Sequence, residues 1–219
     1  MNYLPFALLL VLSPAMATTA DDAANGPPLT INGCLIAEAS QCPGANLRGA
    51  NLANQDLRKM NLAGADLRDA DLRHARLDLA NLEKARLQGA NLTRASLQQS
   101  NLRLADLSNG RLVAVQGWGL FAQGAQFAQA DLSAAYLQFA RLSGAHLQQA
   151  RLRAADLEMA WLSKADLLEA DLADANLQEA KFGQSNLQRA DLRGARLHYG
   201  NFQDANMEGC KGCPDTWDN

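Results

Sequence analysis

A leucine returns every fifth residue from Leu47 to Leu112, and the same step continues with few breaks from Phe127 to Met207. It defines 33 stations, of which 27 are Leu, 3 are Phe and 1 is Met, with Gly117 and Ala122 as the exceptions. Ala stands two places before the station in 25 of 33 cases, and Asn or Asp one place before it in 19 of 33. A repeat this regular overrides any domain-by-domain reading of the chain.

The period selects the geometry. On an α-helix five residues advance by about 500°, or ~140° net, so the leucines would wind around every side. On a flat strand an odd step would send successive leucines to opposite faces. The pattern closes if the chain turns a corner once per five residues, with each leucine and the Ala two places before it inside. Three positions then face outward: the Asn/Asp site and the two residues after the leucine. Coils of this kind stack as a solenoid whose rungs hydrogen-bond at roughly 4.8 Å. The period itself allows three corners per coil as well as four.

Runs such as Ala45-Asn46-Leu47-Arg48-Gly49, Ala65-Asp66-Leu67 and Ala190-Asp191-Leu192 resemble the A(D/N)LXX pattern of the pentapeptide-repeat family. The likeness extends from Ala45 to about Cys210. It implies an all-β fold, a right-handed quadrilateral β-helix with four strips per coil. At this length that means about eight coils and a rod of roughly 40 Å. An aromatic content of 5% suits a narrow interior that holds one large and one small side chain per strip. One coil leaves both its ends open, so stability has to come from stacking and from end caps.

Outside the repeats, Leu4 to Val11 is almost wholly apolar and Ala15-Met16-Ala17 has the small-x-small form of a cleavage site. The reading is a signal peptide over 1–17, a mature start at Thr18, and a periplasmic or secreted bacterial protein with no membrane association after cleavage. The segment before the apolar run, Met1-Asn2-Tyr3, lacks the usual Lys or Arg. Residues 18–30 read as a linker, 31–44 as an N-terminal cap, 45–210 as the repeat solenoid and 211–219 as a C-terminal tail. Cys34 and Cys42 flank the first coil and suit a disulfide staple in an oxidising compartment. Cys210 and Cys213 follow the last coil; a short disulfide, two free thiols and a redox CxxC are all open there, with end-capping the default. A rod's length separates the two pairs, which excludes cross-pairing.

Nothing in the sequence assembles a catalytic, cofactor or metal site. His74, His146 and His198 fall in three outward columns if coils repeat every twenty residues, and no glycine loop precedes a helix. A secreted enzyme with a shallow site therefore has no constellation behind it. Some members of the family resemble a DNA duplex in shape and negative charge and bind type II topoisomerases. Such mimicry needs dense charge of one sign, because a duplex carries one phosphate charge per ~1.7 Å. Residues 45–210 hold 19 bases and 18 acids, a net charge of 19 − 18 = +1. Oppositely charged residues also alternate along columns, as in Asp66, Arg86 and Asp106 or Asp131, Arg151 and Asp171. A basic stripe for nucleic acid is equally missing.

The break at Val113–Gln126 keeps register. Val115 and Leu120 occupy Ala sites next to Gly117 and Ala122, an exchange of large and small that predicts a deformed coil, with an extruded loop as the alternative. Twenty-residue stacking puts Phe121, Arg141 and Trp161 in one outward column. Phe139 and Met159 occupy the adjacent corner, and Trp118 and Tyr136 the neighbouring face. An Arg between two aromatic side chains can stack on both, and this composition is that of a binding hot spot. These seven residues are the candidate interaction patch. The expected role is a non-enzymatic rigid scaffold or protein-interaction module that contacts a partner protein or a second copy of itself.

Overall fold

The computed structural model describes residues 29–214. The signal peptide expected over 1–17, nearly all of the 18–30 linker and the end of the 211–219 tail lie outside those residues.

Within them the five-residue step is realised as a turn at every strip. In the strip Ala65–Asp69, the Ala70 N–H donates to the Leu67 carbonyl at 3.1 Å, and Asp69 has φ 59°. A positive φ at the third residue of such a turn marks a type II β-turn. Every corner residue from Gly44 to Gly209 shares this conformation, with φ between 53° and 76°, although most of them are not glycine. Parallel bridges join residues twenty apart without interruption, from Gln41↔Asn61 to Asp191↔Lys211. Four strips therefore make one turn of the β-helix.

This arrangement finds an acceptor for every N–H of the strip. Asp66 donates back to the Ala45 carbonyl at 2.9 Å, while Leu67 and Asp69 donate forward to Arg86 and Gln88 at 2.7 and 3.0 Å. The turn uses the Ala70 N–H. The one left, on Arg68, points outward and is taken by Asp66 Oδ1 at 3.3 Å. All 19 strips with Asn or Asp before the station repeat this side-chain bond. Asn and Asp are favoured there because their short carboxyl or amide oxygen reaches the N–H two residues on, the Asx-turn geometry. Where Ser96 stands at that site, the Gln98 N–H donates instead to Asp78 Oδ1 of the preceding coil at 3.1 Å.

The lumen is dry and close-packed. Stations such as Leu72, Leu92 and Leu132 are at most 1% exposed, and so are the Ala sites through the middle of the rod. Each fully buried leucine contributes about 1.5–3 kcal/mol relative to an exposed one. At the first end, β1 (Thr30–Ile31) pairs antiparallel with β2 (Cys34–Leu35). β1 thus starts at Thr30, the last residue of the expected linker. Cys34 and Cys42 are joined by a disulfide, with Cα atoms 5.5 Å apart. The ladder also begins before Ala45, since the Cys42 N–H donates to the Asn61 carbonyl at 2.8 Å. Cys42 fills a leucine position and Ser40 an Ala position, which hides this strip from the periodicity. Cys210 and Cys213 are likewise disulfide-bonded at the other end.

Val113–Gln126 corrects one expectation. The coil is neither deformed nor extruded. Its bridges run on through Gln116↔Tyr136 and Phe121↔Arg141, and Gly117 N–H meets the Tyr136 carbonyl at 2.7 Å. Side chains absorb the exchange instead of the backbone. A Cβ on Gly117 would lie 2.8 Å from Leu137 Cδ2 and 3.6 Å from Leu120 Cδ2, so these two leucines fill the space a leucine at 117 would take. Leu137, one coil on, comes nearest to the missing side chain, and Leu120 reaches it across one turn.

Candidate functional site

Because side chains in one column stand a single rung apart, outward residues interact along the rod as cross-strand neighbours do in a sheet. The four columns differ. One starts as an amide ladder: Asn61 Nδ2 donates to Gln41 Oε1 at 3.2 Å, Asn81 to Asn61 at 3.2 Å, and Asn101 to Asn81 at 3.0 Å. The same column then becomes aromatic and cationic. Phe121 lies between Arg103 and Arg141, each 4.9 Å from its ring centroid. Trp161 lies between Arg141 at 5.8 Å and Lys181 at 4.7 Å. Contacts of this kind contribute about 0.5–1 kcal/mol each at exposed sites.

The expected stack of Phe121, Arg141 and Trp161 is therefore present, and it is longer than expected. Lys181 continues the twenty-residue column and could have been read from it. Arg103 reaches in from the corner after Asn101, a position that column counting does not include. On the adjacent corner Trp118 and Phe139 pack with ring centroids 5.9 Å apart at 59°, and Met159 is partly buried beside them in the sequence of that corner. Tyr136 stands apart, on the face before that corner, bridged between Gln116 and Asp156. Trp118, Tyr136, Phe139 and Trp161 remain 43–51% exposed.

On the other faces many charges are paired locally. The expected columns Asp66–Arg86–Asp106 and Asp131–Arg151–Asp171 are bridged as such, but the tighter pairing lies within a strip. Arg68 grips Asp66 through Nε at 2.7 Å and Nη2 at 2.5 Å, whereas Arg86 approaches Asp66 at 3.7 Å. Asp56–Arg58, Asp71–Arg73 and Asp191–Arg193 repeat the in-strip grip. The Arg68 hydrogen bond, partly opposed by desolvation, holds the Asp66 carboxyl down at about 2, and Arg193 does the same for Asp191. These carboxylates accept the Asx N–H and the guanidinium together, which makes them structural groups. His74, His146 and His198 sit on three separate columns, and the structure does not bring them together.

The sequence profile for pentapeptide repeats matches eight copies, over residues 45–83, 80–109, 130–168 and 170–209. The unmatched stretch between 109 and 130 contains the Gly117/Leu120 exchange. Among solved structures, the chain is 28% identical to HetL, a pentapeptide repeat protein involved in heterocyst differentiation regulation from Nostoc sp. strain PCC 7120. That match covers 78% of this chain and 89% of HetL, with a TM-score of 0.39. A pentapeptide repeat protein from the Arabidopsis thaliana thylakoid lumen is 28% identical over 48% of this chain and 66% of its own, with a TM-score of 0.31. QnrB1, a plasmid-mediated fluoroquinolone resistance protein, is 16% identical over 78% of this chain and 90% of its own, with a TM-score of 0.32. No curated protein sequence matches the chain.

Proposed function

Because this chain belongs to the pentapeptide-repeat family, we propose that it is a rigid, non-enzymatic protein-interaction module. Its repeats wind as a right-handed quadrilateral β-helix of about eight coils, a length of roughly 40 Å at the usual rung spacing. The observation that carries the proposal is the exposed ladder of Phe121, Arg141 and Trp161 with the Trp118–Phe139 pair beside it. Large aromatic side chains around an arginine are the composition of interface hot spots. Elsewhere many of the carboxylates are held by guanidinium groups of their own strip, as Asp56, Asp66, Asp71 and Asp191 are.

We also propose that the protein is exported to a bacterial periplasm or secreted, with cleavage after Ala17. The apolar run Leu4–Val11 and the Ala15-Met16-Ala17 site support this reading. So do two disulfides that close the two ends of the rod. Near-neutral charge over the repeats argues against a duplex mimic directed at a topoisomerase. Affinity capture from the native host, with Phe121→Ala/Trp161→Ala as the comparison, tests the interaction reading. Loss of the captured partner with an unchanged circular dichroism spectrum is expected; undiminished capture rejects the patch. Fractionation with N-terminal sequencing tests export, and an intact chain in the cytosol rejects it.

A further inference from the structure

The face that carries Phe121 and Trp161 is also the face whose middle coils carry cations without acids. From residue 101 to 184 its outward positions supply Arg103, Arg141, Lys164 and Lys181 and no acid. None of the four joins an ion pair among the described residues; Arg94, Arg111, Arg151 and Arg196 on other faces are also unpaired, but each of those faces carries acids over the same coils, such as Asp131 and Asp171 or Asp156 and Glu158. Most acids on the flanking faces are engaged elsewhere. Glu158 accepts from Asn176 at 3.3 Å, Asp106 from Gln88 at 2.6 Å, and Asp166 from Gln148 at 2.7 Å. Asp156 accepts from Gln138 at 2.9 Å and Glu169 pairs with Arg189 at 2.9 Å, which leaves Glu179, on the same corner as Met159, as the one flanking acid without such a partner among the described residues.

Ring orientation narrows the ligand chemistry. The cations over Phe121 and Trp161 come from the rungs before and after, so the ring faces are occupied and the edges look out to solvent. An aromatic edge is the positive part of the ring quadrupole. Cation and ring edge together form one positive strip with apolar content. Bases of single-stranded nucleic acid stack on free ring faces, and this ladder has none to offer.

We propose that this strip docks an acidic, carboxylate-rich segment of a partner protein, a proposal that rests on the reading of the protein as an interaction module. Carboxylates match both the guanidinium and ammonium donors and the ring edges between them. Four rung steps from Asn101 to Lys181 give the strip a length of about 19 Å, the span of roughly six residues of extended chain.

The test uses the full chain and a fluorescein-labelled decaglutamate peptide followed by anisotropy, with an oligothymidylate competitor. Arg141→Gln/Lys181→Gln should weaken peptide binding roughly tenfold. Arg111→Gln/Arg151→Gln makes the same change in net charge on another face and should keep binding within about twofold. Circular dichroism verifies that both variants are folded. Equal weakening in both variants, no binding by the unsubstituted protein, or tighter binding of oligothymidylate overturns the proposal. Failure here with Phe121- and Trp161-dependent capture intact leaves the interaction module standing and removes the acidic segment. Failure of both removes both.

Discussion

The Gly117/Leu120 exchange makes a sharp prediction about packing. Leu120 is 1% exposed, so Leu120→Ala opens a cavity and should cost about 2–5 kcal/mol. Gly117→Leu restores the residue type of the station, yet its first side-chain carbon would arrive 2.8 Å from Leu137 Cδ2 and 3.6 Å from Leu120 Cδ2. Overpacking of that kind costs about 1–3 kcal/mol, softened by up to ~1 kcal/mol because the unfolded chain loses glycine's freedom. Gly117→Leu/Leu120→Ala together recreate the ordinary large-at-station, small-at-Ala strip once the flexible end of Leu137 turns into the space Leu120 leaves. The double variant should lie within about 1.5 kcal/mol of the parent. Urea unfolding followed by circular dichroism measures all four proteins, and the coupling between the two sites should exceed about 1 kcal/mol. Additive losses, with the double variant the least stable of the set, would show that Leu120 does not occupy the space vacated at 117.

Four shorter predictions follow from other parts of the rod. Ser185 Oγ is buried without a hydrogen-bond partner among the described residues, whereas Ser100 Oγ donates to the Leu97 carbonyl at 2.8 Å; Ser185→Ala should gain about 1 kcal/mol in urea unfolding, and a loss would mean that the hydroxyl is satisfied. Asn91 Oδ1 accepts from both the N–H and Oγ1 of Thr93, so Asn91→Ala should cost about 0.5–1.5 kcal/mol, and no change would deny the Asx bond a stabilising role. Asp66 has a folded-state value of about 2 against an ordinary 3.8, so what its pair contributes is complete above pH ~4 and fades as pH falls toward 2. Solvent screening limits that contribution to about 1 kcal/mol; carboxyl NMR titration should show Arg68→Gln moving Asp66 up toward 3.8, and an unmoved titration would discard the Arg68 cause. Cys34→Ser/Cys42→Ser should cost about 2–3 kcal/mol, felt first as faster amide exchange around Gln41–Asn61, and uniform exchange along the rod would contradict a local staple.

Much of this was legible in the sequence because a five-residue step leaves the backbone few choices. Stations such as Leu72 and Leu132 and the Ala sites before them are buried as the period requires. Column neighbours such as Phe121, Arg141 and Trp161 follow once coils repeat every twenty residues. Other features depend on where side-chain atoms point, which counting does not reveal. The Asn/Asp site reads as merely outward until Asp66 Oδ1 is seen on the Arg68 N–H. The closer neutralising partner of Asp66 lies two residues away in its own strip, with the column neighbour Arg86 farther off. Arg103 joins the aromatic ladder from a corner. At 113–126 the small residues suggested a bent backbone, but flexible leucine termini filled the gap and left the hydrogen bonds unstrained.

Everything rests on four five-residue strips closing one coil around a shared lumen. Spin labels at Asn54→Cys and Ala154→Cys measure this directly, since both corners are exposed and lie in one column. Five rungs separate them, and pulsed electron resonance should give a distance near 24 Å. Three strips per coil would put about 32 Å between the labels and turn them onto different faces, and a distance in that range would contradict the fold described here.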